Sequence, residues 1–252
     1  MKKFLLATVA LAALSAPAMA ADLATKYPVK AVAVVPVFSW TGFYIGANAG
    51  YGGDKFDINE TESYYGYVSP YSYSHSTNSS GFFVGGQIGY NYQFANNVVI
   101  GLETDLQWSN IEGEHTETYS YGGVPYESYT RAATVDYFGT IRARLGYAFD
   151  RFLPYVTGGA AYGKTKLSYS YSEYDYYGSS FSASSTNWGW TVGVGAEYAI
   201  TNNWTFKTEY LYVDLGSTDY TYSDYCCGGA YTYTGSVDTK FHTLKAGVNY
   251  KF

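Results

Sequence analysis

Eight charged side chains stand out because each falls on one parity of a segment whose other parity is apolar: Glu103 and Asp105, Arg142 and Arg144, Glu197, Lys207 and Glu209, and Lys245. Here four acids meet four bases on the same kind of face, and that balance points to mutual neutralisation. The set therefore predicts a salt-bridged plug or, as the competing reading, a gated ion path.

Other candidate chemistry is sparse. His75 and His115 fall in polar stretches, and His242 falls on an apolar parity near the end of the chain. A nucleophile or base needs converging partners, and none of the three sits in such an arrangement, so no catalytic residue is assigned and no enzyme is expected. Cys226 and Cys227 are adjacent, which excludes a disulfide framework, and no Cys/His spacing resembles a zinc site. Neither a metal nor a cofactor is expected.

The elements that must position the eight charges are strands. The stretch from Val237 to Phe252 puts Leu244, Ala246, Val248, Tyr250 and Phe252 on one face and Thr243, Lys245, Gly247, Asn249 and Lys251 on the other. A closing strand of this kind needs both edges paired, and a closed barrel supplies that. Seven further segments alternate likewise, at about 41–51, 81–94, 98–109, 134–149, 155–167, 187–200 and 204–215. In the fifth, a run of Gly and Ala leaves the facing open.

The hairpins start near Thr41, Val98, Tyr155 and Trp204, spaced by 57, 57 and 49 residues. Three tight turns, near Asn96, Asp150 and Asn202, alternate with four polar stretches read as long loops, at about 57–80, 110–133, 168–185 and 216–236. The loops hold 19 of the 32 tyrosines, in phrases such as Tyr71-Ser72-Tyr73 and Tyr169-Ser170-Tyr171. Tyrosine with serine and glycine is a chemistry of adaptable contact surfaces, so a host or surface ligand is an expected partner there.

Aromatics on the apolar face collect at the two strand ends: Phe94, Phe149, Trp204 and Phe206 with Tyr250 and Phe252 at the turn end, and Trp108 and Trp188 with Tyr51 and Phe82 at the loop end. Between them lie mostly Ala, Val, Ile, Leu and Gly. Two aromatic girdles around an aliphatic band match the two interfaces of a membrane, and a soluble barrel has no reason to sort its residues so. The fold class expected is all-β: an eight-stranded antiparallel up-and-down transmembrane barrel with four long outer loops and three short periplasmic turns. An eight-stranded lumen is only wide enough for side chains, which favours the plug.

Residues 1–20 read as a signal peptide: Lys2 and Lys3, an apolar run from Phe4 to Leu14, and Ala18-Met19-Ala20 as cleavage site. Residues 21–39 read as a flexible leader and 40–252 as the barrel. Cleavage removes two lysines and no acid, leaving 13 basic against 21 acidic side chains, a net charge of -8. An acidic surface of this kind argues against nucleic acid as partner.

Trp40-Thr41-Gly42-Phe43-Tyr44-Ile45-Gly46, Gly86-Gln87-Ile88-Gly89-Tyr90-Asn91, Gly101-Leu102-Glu103-Thr104-Asp105, Arg142-Ala143-Arg144-Leu145-Gly146-Tyr147 and the terminal Val248-Asn249-Tyr250-Lys251-Phe252 resemble the small outer-membrane barrels of alphaproteobacteria. These are OmpA/OmpX-like, porin-family surface antigens of Gram-negative bacteria. The resemblance implies the bacterial outer membrane as location, with its lipid and lipopolysaccharide as partners. It also implies that Tyr250 and Phe252 form the terminal signal read by the outer-membrane assembly machinery. The function it implies is envelope structure and surface interaction; a narrow porin, or a haem- or small-ligand-binding protein using loop tyrosines and His75 or His115, is the alternative.

Overall fold

Alternating segments with tight turns between them pair with their sequence neighbours, and the chain does so eight times. In the computed structural model, which describes residues 38–64, 67–121, 123–173, 177–226 and 229–252, the strands are β1 (Gly42–Tyr64), β2 (Tyr67–Gln93), β3 (Val98–Tyr121), β4 (Val124–Tyr147), β5 (Phe152–Glu173), β6 (Tyr177–Ala199), β7 (Trp204–Cys226) and β8 (Gly229–Lys251). Each pairs antiparallel with the next, and β8 returns to β1, with Ala47 opposite Val248 and Ala49 opposite Ala246. The barrel is closed, as the edge argument required. The signal peptide expected at 1–20, and the leader apart from Phe38 and Ser39, lie outside the described residues.

The strands run well past the ends expected from the sequence. The stretches read as long loops are hairpin extensions: β1 and β2 pair as far as Tyr64 and Tyr67, β3 and β4 to Tyr121 and Val124, β5 and β6 to Glu173 and Tyr177, and β7 and β8 to Cys226 and Gly229. The physical reason is the Tyr/Ser/Thr alternation itself. Aromatic and β-branched residues favour an extended pleat, and cross-strand ring pairs reward it.

Above the barrel the wall divides. Among the described residues the β2–β3 ladder ends at Ser80 opposite Glu112, and the β6–β7 ladder ends at Trp190 opposite Asp214. Irregularities mark both places. The β3–β4 register shifts between Trp108 and Ile111, and Asn110 Oδ1 accepts the Phe82 N–H at 2.7 Å. On β7 the register shifts between Asp214 and Ser217, around Gly216 at φ 73°, whose N–H is taken by Asp214 Oδ1 at 2.9 Å. Bulges increase local twist and end pairing. Two four-stranded sheets therefore continue outward, β3–β4–β5–β6 and β7–β8–β1–β2.

Burial follows parity. On β5, the strand whose facing the sequence left open, Leu153, Tyr155, Thr157, Ala161 and Thr165 point inward while Val156 is exposed. The interior is layered. At the turn end Phe38, Trp40, Val99, Ala148, Leu153, Tyr155 and Ala199 form one apolar cluster. Toward the hairpins Phe56, Phe83, Ile111, Phe138, Leu211, Val213 and Phe241 form the heart of a second. The inner-face residues named from the sequence are charged, polar or small, and these apolar layers add to them.

Phe38 and Ser39, assigned to the leader, belong to the closure of the turn end. The Phe38 and Trp40 rings meet edge-on with centroids 4.9 Å apart, Trp40 Nε1 donates to the Asp150 carbonyl at 3.0 Å, and Lys251 Nζ donates to the Ser39 carbonyl at 2.6 Å. Trp40 is a fully buried stopper. Trp40→Ala is expected to cost about 3–5 kcal/mol of barrel stability, read as a lowered urea midpoint in lipid vesicles, with the same fold by circular dichroism.

Candidate functional site: a charged layer inside the barrel

Between the two apolar clusters lie all eight charged residues singled out by parity, each at most 4 % exposed. Their backbones place them there: inward positions of β3 (Glu103, Asp105), β4 (Arg142, Arg144), β6 (Glu197), β7 (Lys207, Glu209) and β8 (Lys245) meet at one level of the bore. Arg142 is the hub. Its Nη2 lies 2.7 Å from Glu103 Oε1 and 2.8 Å from Asp105 Oδ2, and its Nη1 lies 2.9 Å from Glu209 Oε1.

Two lysines complete the hub from the far wall. Lys207 Nζ is 2.7 Å from Glu103 Oε1, and Lys245 Nζ is 2.7 Å from Asp105 Oδ2 and 2.9 Å from Glu209 Oε1. Arg144 reaches the other way, with Nη2 2.7 Å from Glu197 Oε2 and Nη1 3.7 Å from Glu103 Oε2. Counting residues from the turn on each strand makes Glu103 and Arg144 near neighbours, and this 3.7 Å approach agrees with it, although the two are not level. Glu103 stands opposite Arg142, because Val98 pairs with Tyr147 and not with Phe149. Counting from the turn on each strand ignored the stagger that closure imposes on neighbouring strands. Reading the strands in order puts Glu197, Lys207, Glu209 and Lys245 in a second group on the other side; the two groups are one network, since the bore is narrow enough for Lys207 and Arg142 to share Glu103.

Neutral groups fill further valences, and none of them is singled out by the sequence. Tyr44 donates to Glu103 Oε2 at 2.7 Å and accepts from Arg144 Nη1 at 3.1 Å, while Tyr155 donates to Glu209 Oε2 at 2.9 Å. The Arg144 guanidinium also lies over the Tyr155 ring, 3.9 Å from its centroid. Gly89 and Gly195 make room for these phenols: a Cβ at either would collide with Tyr44 or Tyr155 respectively. Thr140 donates to Asp105 at 2.6 Å, Asn249 to Glu197 at 2.9 Å, and Gln87 to Asn249 at 2.7 Å. The signal was present in the sequence as polar residues on the inward parity.

Every carboxylate of the layer faces a cation, while Arg144 Nε is left without a hydrogen-bond partner among the described residues. Glu103, Asp105 and Glu209 bring carboxylate oxygens within 4.8 Å of one another, a separation that suits a cation. That position is taken by the Arg142 guanidinium and the Lys245 ammonium, so the side chains supply the positive charge themselves.

The other residues named from the sequence lie apart from this layer. On the outer face Phe94, Trp108, Phe149, Trp188, Trp204 and Phe206 are all exposed, as are Tyr250 and Phe252. His242 faces outward near the hairpins, its Nδ1 2.6 Å from Tyr210 Oη and its Nε2 3.4 Å from Asp54 Oδ2. His115 Nε2 lies 3.4 Å from Glu117 Oε1 on a hairpin extension. The side chains of His75 and Cys226, and the whole of Cys227, are outside the described residues.

A closed eight-stranded barrel, exposed aromatics at both ends of an aliphatic outer face and a neutralised bore are the physical signature of a membrane-spanning barrel. Residues 6–252 match the family model described as outer membrane protein β-barrel domain. The chain belongs to this outer-membrane β-barrel family. Among its relatives, the 31 kDa outer-membrane immunogenic protein of Brucella melitensis is 42 % identical over 264 residues, covering 100 % of both chains. The 22 kDa outer membrane protein of Rhizobium leguminosarum is 34 % identical, covering 74 % of this chain and 70 % of that one. Among solved structures, OprG of Pseudomonas aeruginosa aligns with a TM-score of 0.48 at 15 % identity, covering 85 % of this chain and 98 % of that one. This outer-membrane barrel protein accordingly resides in the bacterial outer membrane, as a member of a surface-antigen family.

Breaking one pair in such a layer leaves a buried charge without its partner, whereas replacing both partners by apolar groups removes the desolvation cost as well. Arg144→Ala is expected to destabilise the barrel by about 3–5 kcal/mol. The double change Arg144→Met with Glu197→Met should recover much of that loss in the same urea titration.

Proposed function

We propose that this outer-membrane barrel is a sealed, non-catalytic structural and surface-interaction protein: it stabilises the envelope and presents its hairpin extensions to the exterior. The observation that carries the reading is the order of layers inside the bore. A charged layer with every carboxylate paired is bounded by the Phe38–Trp40 cluster on one side and the Phe83–Phe138–Phe241 cluster on the other. An ion entering from either end would shed its water against aromatic and aliphatic side chains before meeting any charge. The carboxylates of the layer are held by cations and sealed from both ends, which supports a role without catalysis in the bore.

The exposed rings then serve as membrane girdles, in contact with outer-membrane lipid and lipopolysaccharide. Tyr250 and Phe252 are exposed, their ring centroids lie 5.3 Å apart, and the Phe252 N–H is held by the Phe43 carbonyl at 3.0 Å. One backbone bond and one ring contact are little for the fold to lose. This supports a role for Phe252 as a signal read by the assembly machinery.

Two measurements test the proposal. In planar bilayers the purified barrel should give no nanosiemens steps, and neither should Lys245→Met; steps in either would show an ion path through the bore. Deleting Phe252 should lower the surface level several-fold in cells while the refolded protein keeps its urea midpoint, and a normal surface level would refute the signal role.

A further inference from the structure

The hairpin extensions are not coated at random. Once the long loops are seen to be strands, the Tyr-Ser phrases acquire two sides, and register tells which is which. Gly113, Ala133 and Leu167 lie side by side on β3, β4 and β5, and their faces pack on the upper apolar cluster. Two residues further out, His115, Arg131, Tyr169 and Phe181 share that inward side, followed by Glu117, Tyr129 and Tyr171, then Tyr119 and Glu127. The serines between them, Ser170, Ser172, Ser182 and Ser184, are exposed on the outer side.

The rings on the inner side touch one another across strands. Tyr119 meets Tyr129 at 6.1 Å and Tyr129 meets Tyr171 at 4.9 Å, while the Arg131 guanidinium lies 5.6 Å from the Tyr169 ring centroid. The result is an aromatic wall on the β3–β6 sheet, standing above a closed floor. Polar planar groups of both kinds are set into it, the Arg131 guanidinium and His115 imidazole beside the Glu117 and Glu127 carboxylates.

We propose that this wall is a saccharide-binding surface that takes a neutral oligosaccharide. A pyranose ring presents an apolar face of C–H groups and an edge of hydroxyls that both donate and accept. Stacked phenol rings offer broad, rigid area to the first at little entropic cost. Guanidinium, imidazole and carboxylate groups offer donors and acceptors to the second. Because a cation and carboxylates both stand in the wall, a strongly charged ligand of either sign meets a repulsive group, whereas a neutral polyol meets none. The closed floor makes the wall a place of capture and not a route inward. This deepens the surface-interaction reading above, and the two fail separately: a wall that binds no sugar leaves the sealed bore, read by conductance, untouched.

The test titrates the full-length barrel in nanodiscs with neutral tetrasaccharides of glucose, galactose and mannose, followed by intrinsic fluorescence and calorimetry. At least one is expected to bind. Tyr129→Ala or Tyr171→Ala should weaken it about tenfold, whereas Tyr129→Phe and Tyr171→Phe, which keep the ring, should change it by less than about threefold. Unshifted heat-modified mobility on gels shows that each variant is folded. Binding of none of the three sugars, equal binding by the alanine variants, or tighter binding of a sulfated tetrasaccharide or an arginine-rich peptide overturns the proposal.

Discussion

The constraint on which the structure depends is that a charge removed from water must be given a partner. In a bore too narrow for solvent, four carboxylates and four cations are tolerable only as a set, and Arg142 shows how tightly the set is drawn: one guanidinium serves Glu103, Asp105 and Glu209. That requirement fixes strand register, because a slip of one residue would turn every charge on a strand toward lipid and every aliphatic side chain inward. It also explains Tyr44 and Tyr155, which bring hydroxyls to oxygens that the cations leave over.

Most of the fold was legible because a period of two is a strong signal when one side faces lipid and the other a packed bore. Phe82, Val84 and Ile88 against Gly85 and Gln87, or Trp190 and Val192 against Thr191 and Gly193, leave no other assignment. The same signal identified the eight charges that the barrel brings together. It failed where both parities are apolar, as at Phe82-Phe83 and Tyr137-Phe138, so the apolar layer above the charges was missed. It failed again for the relative height of Glu103 and Arg144, because stagger between strands is a property of the closed barrel and is written in no single segment.

The hairpin extensions were read as loops for a related reason. Loop and strand share the residues Tyr, Ser and Thr, and only pairing with a neighbour separates the two. The pairing is local along each hairpin and fails at the two bulged junctions, so the outer part is held by hairpins joined side by side into two sheets. Asn187 donating to Thr218 is a side-chain tie that bridges one of those junctions just above its last ladder pair.

The alternation of tyrosine within and serine without carries a consequence for how such a surface changes over generations. Inward rings hold each hairpin to its neighbours, whereas outward serines such as Ser170 and Ser182 hold nothing together. Every second residue of the visible coat is thus free to drift without disturbing the scaffold beneath it. One side of these extensions can be rewritten while the architecture persists.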